Sequence, residues 1–427
     1  MSEPWKADTF EYTLSDWQEE QTDSNYLEQA YLPESRECMS CGQCLSSCSS
    51  YFINPIHEES PRGRVSILRK LLLDKQEINA QEHHHLNNCL ECRNCETVCP
   101  SKMAYSHWFD KAQARLAHTW HKSSMAYAGF WLIAHKHWRK LLLPGLALLL
   151  KSGFITLIHR TGFSKKLGLA SLSRFNTLPA LTELSTVYPV KKAKYRGRVA
   201  LFTGCLAEHF DRATLMASIK LLNAFGYEVV IPHEQTCCGA LHQHHGFDAQ
   251  SFIQKNIATF YGLEVNAVIY TASGCGAMLS EYPDQDKETS GWFHRYLYDI
   301  HDFLLDNWPD NLQIAASNLR VAVHEPCSQR NVLKNTSSTY RLLEKIPGII
   351  LKKMPDNPIC CGAGGSYMLS HPAQAEQLRR LKWQNLETLA ADLVVSSNFG
   401  CAFHLNSGER PDGLEFMHPI RLLADRL

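Results

Sequence analysis

The chain has 427 residues, 44% of them hydrophobic, with 43 basic and 43 acidic side chains and a formal net charge of +0. That length exceeds what one hydrophobic core fills, so several domains are expected. The neutral balance excludes a whole-protein electrostatic match to nucleic acid, and no nucleic-acid partner is expected.

Sixteen cysteines are many for a chain whose opening, MSEPWKADTFEYTLSDWQEEQ, has neither the basic start nor the apolar stretch of a secretory signal. They are therefore read as metal ligands rather than disulfides. No run reaches the roughly 18 to 20 apolar residues of a spanning helix. The longest apolar block, LLLPGLALLL at 141–150, is interrupted by Pro144 and Gly145.

In chain order, residues 1–30 carry eight carboxylates against Lys6 alone and read as an acidic N-terminal arm. Residues 31–110 hold eight cysteines in two tight groups. Between the groups, PRGRVSILRKLLLDKQ places Val65, Leu68, Leu71 and Leu72 at helical spacing, which predicts a connecting helix. Residues 111–195 form a basic amphipathic helical linker: from 111 to 182 there is no Asp or Glu, and eleven Lys and Arg lie among Trp, Phe and Leu. Phe130, Trp131, Ala134, Trp138, Leu141 and Leu142 make an apolar helical stripe there. Such a segment suits either packing between the halves of the protein or contact with an anionic membrane surface.

From about 196 onward, short β-rich runs alternate with helical stretches, the pattern of a parallel-sheet α/β domain. The pattern occurs twice. RVALFTGC (198–205) matches RVAVHEPC (320–327), EVVIPHEQTCCGA (228–240) matches KKMPDNPICCGA (352–363), and AVIYTASGCGAML (267–279) matches DLVVSSNFGCAFH (392–404). Two equivalent units, 196–318 and 319–427, are expected.

The first eight cysteines are Cys38, Cys41, Cys44 and Cys48, then Cys89, Cys92, Cys95 and Cys99, each group spaced C-x2-C-x2-C-x3-C. In two-cluster ferredoxins the fourth cysteine of such a run ligates the other cluster. The spacing thus predicts Cys38, Cys41, Cys44 and Cys99 on one 4Fe-4S cluster, and Cys89, Cys92, Cys95 and Cys48 on a second. Zinc ribbons are the competing use of Cys-x2-Cys, but they draw on two separated pairs rather than four cysteines in eleven residues. Ser49 follows Cys48 where Pro100 follows Cys99, which leaves the backbone less constrained at the first motif.

The remaining cysteines are Cys205, Cys237, Cys238 and Cys275, and again Cys327, Cys360, Cys361 and Cys401. Each follows a predicted strand, so each set should meet at the carboxyl edge of its sheet, where parallel sheets place their ligands. Neighbouring glycines, Gly204, Gly239, Gly274 and Gly276, then Gly362, Gly364, Gly365 and Gly400, let the backbone approach closely. A vicinal disulfide would be strained, so each pair is read as two ligands of one cluster or as a ligand and a redox thiol. Buried structural cysteine is the alternative for any single position.

The histidines of EHHHLNN and HQHHG are read as solvated or helix-capping. Arg62 and Arg64 of SPRGR either offer positive charge to the clusters or sit solvated in a turn. No strand-GxGxxG-helix unit and no P-loop is found, so no nucleotide site is expected on this chain.

CMSCGQCLSSC, SPRGR, CLECRNCETVCPS, GCLAE, TASGCGAML, CCGAGGSYMLSHP and NFGCAFHLNSG, in this order, resemble the iron-sulfur subunits of bacterial glycolate oxidases over about nine tenths of the chain. More distant likenesses are lactate-utilisation proteins, the iron-sulfur subunit of anaerobic glycerol-3-phosphate dehydrogenase, and the cysteine-rich subunit of heterodisulfide reductase. The resemblance implies an α+β multidomain fold, with a helical two-cluster ferredoxin domain followed by tandem α/β units with parallel sheets. It implies an electron-transfer subunit of a flavin-dependent 2-hydroxy-acid dehydrogenase, with no catalytic residues of its own. Its partner would be an FAD-binding dehydrogenase subunit that oxidises glycolate to glyoxylate, and the acceptor a quinone at the inner face of the cell membrane. Another 2-hydroxy acid such as D-lactate, glycerol 3-phosphate, or a disulfide reduced at the cysteine pairs are the alternatives. Beyond two 4Fe-4S clusters, at least one further cluster is expected in the second half. The five-cysteine set of heterodisulfide reductase is incomplete, because Met278 and His404 stand where its last cysteine would be.

Overall fold

The computed structural model describes residues 38–120, 124–152, 179–191, 193–283, 286–407 and 413–427. The acidic arm and much of the basic linker lie outside the described residues.

The first described region is helical: α1 (Ser49–Ile53), α2 (Pro61–Leu72), α3 (Ala80–Asn87), α4 (Asn94–Thr97) and α5 (Tyr105–Thr119). Helix α2 is the one expected from the spacing of Val65, Leu68, Leu71 and Leu72. Ser60 caps it by accepting from Gly63 N at 3.0 Å, and Pro61 occupies its first turn, where a missing N–H costs nothing. Gly63 is required there, since a Cβ would lie 2.1 Å from His57 O. Val65, Leu68, Leu71 and Leu72 are buried with Trp108 and Phe109 of α5, forming the small core of this domain. Asn79 and Glu82 build a capping box on α3.

Helices α6 (Ser124–Ala134) and α7 (Lys136–Lys151) follow. The expected stripe divides where the two helices meet at His135. Phe130 turns inward against His242, His245 and Phe247, and Ala134 packs on the core below, while Trp131, Trp138, Leu141 and Leu142 are exposed. The interruption at His135 resets the periodicity for Trp138, Leu141 and Leu142, while Trp131 already leaves the inward face within α6 and meets Trp138 outside.

Two sheets make up the rest. The first has strand order β1-β3-β2-β4-β5, from β1 (Val187–Tyr188), β2 (Gly197–Phe202), β3 (Tyr227–Val230), β4 (Val268–Tyr270) and β5 (Leu297–Asp299). All pairs are parallel except β1 with β3. The second is wholly parallel, with order β7-β6-β8-β9, from β6 (Arg320–His324), β7 (Ile350–Lys353), β8 (Leu393–Ser396) and β9 (Phe416–Met417). Omitting β1, the two orders are the same, and the repeat expected from the sequence is present in three dimensions.

Alternation along the strands explains the layers. Val199 and Leu201 of β2, with Val321 and Val323 of β6, enter one core shared by both sheets, together with α8 (Arg212–Ala224) and α9 (Pro419–Ala424). Ala200 and Phe202 face the opposite way, into a core that includes Cys205, Cys237 and Cys238. Ala322 does the same in the second unit, beside Cys360, Cys361 and Cys401. Among the described residues no helix is long and apolar enough to cross a membrane.

Candidate metal centres

The sixteen cysteines all carry free thiols, and the fold gathers them into four groups. Cys38, Cys41, Cys44 and Cys99 line a cavity of about 500 Å³, with Cys95, Arg62, Pro100 and Tyr105 also on its wall. The loop wraps because Ser40 and Gly42 adopt left-handed conformations, with φ of 55° and 81°. Burial, reinforced by Cys38, pushes the Cys44 thiol up to about 11. Cys41 is exposed, so this cavity lies near the surface.

Cys48, Cys89, Cys92 and Cys95 line a second cavity of about 450 Å³. Its loop repeats the first: Glu91 and Arg93, at the positions of Ser40 and Gly42, are left-handed with φ of 51° and 58°. Cys89 is pushed up to about 11 by burial, against the opposing charge of Arg64. Cys92 and Cys95 are raised well above the usual thiol range by burial and by neighbouring cysteines. Four crowded thiols resist ionisation in such a cavity unless a cationic centre compensates them, and a coordinating thiol is deprotonated by its metal. The donor set therefore fits a metal cluster.

In the first sheet unit, Cys205 follows β2, Cys237 and Cys238 follow β3, and Cys275 lies on α10 (Ser273–Ser280) after β4. Cys237 Sγ lies 3.4 Å from Cys205 Sγ. A hydrogen bond to Cys237, then burial, raises the Cys205 thiol well above its usual range. In the second unit the equivalents are Cys327, Cys360, Cys361 and Cys401, the last on α12 (Phe399–Asn406), with α11 (Pro372–Glu387) between. Cys361 Sγ and Cys401 Sγ are 3.0 Å apart. Gly239 and Gly362 sit left-handed immediately after the paired cysteines, at φ of 92° and 93°. A Cβ on Gly362 would come within 2.8 Å of Ala375 O. All eight cysteines open into one cleft of about 1720 Å³, which Cys89 and Cys92 also line.

Each group has a cation beside it. Arg62 lines the first cavity. Arg64, only 1% exposed, bonds Glu59 Oε2 at 2.6 Å and Ser50 Oγ at 2.8 Å, and lies 3.8 Å from Cys48 Sγ. It is not solvated in a turn. Buried Arg139 of α7 acts on Cys205, so the basic linker delivers a charge to the third group. Fully buried Lys382 acts on Cys360. Arg62 is part-buried, whereas Arg64, Arg139 and Lys382 are buried; Arg64 and Lys382 also pair with Glu59 and Asp356, so the cations add positive charge where a thiolate-ligated cluster would be negative.

The second and fourth groups are joined directly. Ser49 opens α1, and its Oγ accepts a hydrogen bond from Cys360 N at 2.8 Å. The missing proline is thus no slack point: a helix start constrains this backbone and the serine ties it to the second unit. Asn331 Nδ2 donates to Cys92 O at 2.5 Å, and Arg330 Nη2 to Asn94 Oδ1 at 2.5 Å. Ile53, Leu90 and Cys92 pack into the same core as Cys360 and Cys361. Sequence reading missed Asn94, Arg330 and Asn331, although Ser49 in place of proline was a visible signal.

In the two histidine clusters His84 is exposed and His244 half-exposed, while the others are held by packing or hydrogen bonds. His85 Nδ1 bonds Glu59 Oε1 at 2.7 Å, and His83 stacks on Trp120 with centroids 4.2 Å apart. His244 lies 2.7 Å from Glu91 and 3.3 Å from Asp110, tying the helical domain to the first unit. His404, where a fifth cysteine was sought, hydrogen-bonds Ala375 O through Nε2 at 3.1 Å.

Comparison with known proteins agrees with this arrangement. A family model for a 4Fe-4S dicluster domain matches residues 34–103, and one for a cysteine-rich domain matches residues 199–280 and 321–406. The chain is 30% identical to a probable glycolate oxidase iron-sulfur subunit of Bacillus subtilis, covering 91% of this chain and 92% of that protein. It is 28% identical to the glycolate oxidase iron-sulfur subunit of Escherichia coli, over 88% of this chain and 90% of that one. Lactate utilization protein A of Halalkalibacterium halodurans is 28% identical and matches 53% of this chain and 96% of its own. With its 4Fe-4S dicluster domain and doubled cysteine-rich unit, the chain is an iron-sulfur electron-transfer subunit and belongs to the family of glycolate oxidase iron-sulfur subunits.

Proposed function

We propose that this chain carries electrons for a glycolate oxidase, from an FAD-binding dehydrogenase subunit that converts glycolate to glyoxylate towards a membrane quinone. That oxidation releases two electrons and two protons, and iron-sulfur clusters supply the one-electron stores that relay the electrons singly. The observation that carries the reading is the direct join between the Cys48, Cys89, Cys92, Cys95 group and the Cys327, Cys360, Cys361, Cys401 group through Ser49, Asn94 and Asn331. The first cavity, lined by Cys38, Cys41, Cys44 and Cys99, shares Cys95 with the second, so three groups follow one another without a gap.

Within this reading, the four cysteines around each of the first two cavities ligate one 4Fe-4S cluster each, as the motif spacing implied. The sets in the two sheet units hold at least one more. The functional divisions are a two-cluster domain at 31–110, a basic linker at 111–195, and repeats at 196–318 and 319–427. The two sheets and the gathering of cysteines at their edges support that division. Exposed Trp131, Trp138, Leu141 and Leu142, on a linker rich in Lys and Arg, support peripheral contact with the anionic inner face of the membrane.

The test is anaerobic mixing of the chain with its flavin-binding subunit. Addition of glycolate is expected to bleach the visible iron-sulfur absorption, faster than D-lactate or glycerol 3-phosphate does. Preferential bleaching by either of those would reassign the substrate. Turnover of a disulfide by the chain alone would replace the electron-relay reading with the reductase one.

A further inference from the structure

The two cysteine-rich units share strand order and register, yet differ at one pair of residues beneath the paired cysteines. Phe202, the last residue of β2, pairs in register with Tyr270 of β4. The equivalent pair in the second unit is His324 and Ser396. Two buried aromatic rings are thus replaced together by an imidazole and a hydroxyl, with His324 Nδ1 3.0 Å from Ser396 Oγ. That hydrogen bond offsets the burial of one ring nitrogen and leaves the other with a task to find.

The surroundings indicate that task. His324 is 2% exposed, and a ring nitrogen lies with Cys361 Sγ and Cys401 Sγ such that all three atoms are within 4.8 Å of one another. Donors sharing one tetrahedral metal atom, at bonds of about 2.0 to 2.3 Å, stand about 3.5 to 3.8 Å apart, so a small adjustment would bring the ring nitrogen and one of these thiolates onto one iron, leaving two positions for sulfide. Nδ1–H donating to Ser396 Oγ fixes the ring's orientation and leaves the Nε2 lone pair free, as outer-sphere partners of metal-bound histidines do.

We propose that His324 is a nitrogen ligand to the iron-sulfur cluster of the second unit, bound beside Cys361 and Cys401, whereas the first unit binds through thiolates alone. The inference rests on the reading that this half of the chain holds iron. His404, the residue in line with the lost cysteine, is not the substitute; the nitrogen donor comes from the strand below. A neutral imidazole leaves the cluster less negative than a thiolate would and raises its potential, as histidine ligation does in Rieske centres. The second unit then holds the better electron acceptor of the two.

Iron content comes first in the test: more than about eight irons per chain are expected, two cubanes accounting for about eight. About eight would overturn the underlying reading and the ligand assignment with it. Given the extra iron, pulsed electron paramagnetic resonance of the reduced wild-type chain, grown with and without ¹⁵N-histidine, should show a directly bonded histidine nitrogen. His324→Phe, which copies the first unit, should lose that coupling. His324→Cys should keep its iron and show a lower midpoint in an optically followed redox titration, a readout that needs no paramagnetic state. Extra iron with no histidine coupling, a coupling that survives in His324→Phe, or an unchanged midpoint in His324→Cys would overturn the assignment while leaving the cluster reading intact.

Discussion

The two cysteine-rich units have the same strand order and place their cysteines at the same edge, yet the helical domain meets them differently. It meets the second through a shared apolar core with hydrogen bonds from Ser49, Asn94 and Asn331, and the first through Arg93 on Glu281 and His244 on Glu91 and Asp110. Topology decides where thiols collect. The side chains around them decide which collection is wired to the dicluster domain and which carries a nitrogen donor.

Removing Arg64 should do the most damage to the join with the second unit, because it anchors α1 through Ser50 while neutralising Glu59. Arg64→Met strips the buried Glu59 carboxylate of its guanidinium partner and leaves it only His85 and Asn88, and a loss of about 3 to 5 kcal/mol is expected from denaturant unfolding. A loss below about 1 kcal/mol would show that the ion pair is not what holds α1.

Gly276→Ala addresses packing inside the first unit. Its Cβ would lie 2.1 Å from the Tyr270 ring, whereas the second unit has Ala402 there, opposite Ser396. The substitution should cost about 1 to 3 kcal/mol, and the double variant Gly276→Ala with Tyr270→Ser, which copies the second unit, should regain most of it. A single variant as stable as wild type contradicts the account of this difference.

Ser49→Ala removes the acceptor of the buried Cys360 amide and should cost about 1 to 2 kcal/mol. It should also slow electron passage into the second unit, read as slower bleaching of its absorption after flash reduction of the dicluster domain. Unchanged stability and rate together would remove Ser49 from the join.

The smallest effect is expected at the contact with the first unit. Burial opposes the charge on His244, but Glu91 and Asp110 hold it protonated well above its usual range. Its contribution to stability is fully present below about pH 6.5 and is lost as pH rises through the raised folded value. Burial likewise opposes the Asp110 carboxylate, yet His244 keeps it below the usual range, so its contribution is present above about pH 4 and lost on acidification. The contact is strongest between those limits. Because the His244 side chain is 39% exposed, the effect should stay below about 1 kcal/mol. Alkaline pH should lower the amide protection factors of 240–247, taken relative to the intrinsic exchange rate, before those of any other part of the unit, and His244→Gln should abolish that change. Protection factors there that stay constant with pH in the wild type would rule out the ion-pair contact.

Much of this was legible in the sequence because it is local or repeated. The two ferredoxin motifs fix loop geometry within eleven residues, and the same left-handed positions appear in both. Helix α2 announced itself through four apolar positions at helical spacing. The internal repeat, offset by 122 to 126 residues, gave away the second unit and the convergence of Cys205, Cys237, Cys238 and Cys275. What could not be read depends on contacts between distant segments. Ser49 meeting Cys360 across 311 residues, and Arg139 reaching Cys205, follow from domain docking that no periodicity encodes. His324 was hidden for another reason. Attention to the lost cysteine pointed along the chain to His404, while the fold supplies a histidine from a neighbouring strand.

The central claim is that the second half of the chain holds iron on its doubled cysteine sets and is wired to the dicluster domain. Iron and sulfide counting on the anaerobically purified chain tests it most directly. The account predicts more than about eight irons per chain, falling towards about eight when Cys361 and Cys401 are both replaced by serine with Cys237 and Cys238. About eight in the wild type, unchanged by those substitutions, would contradict it.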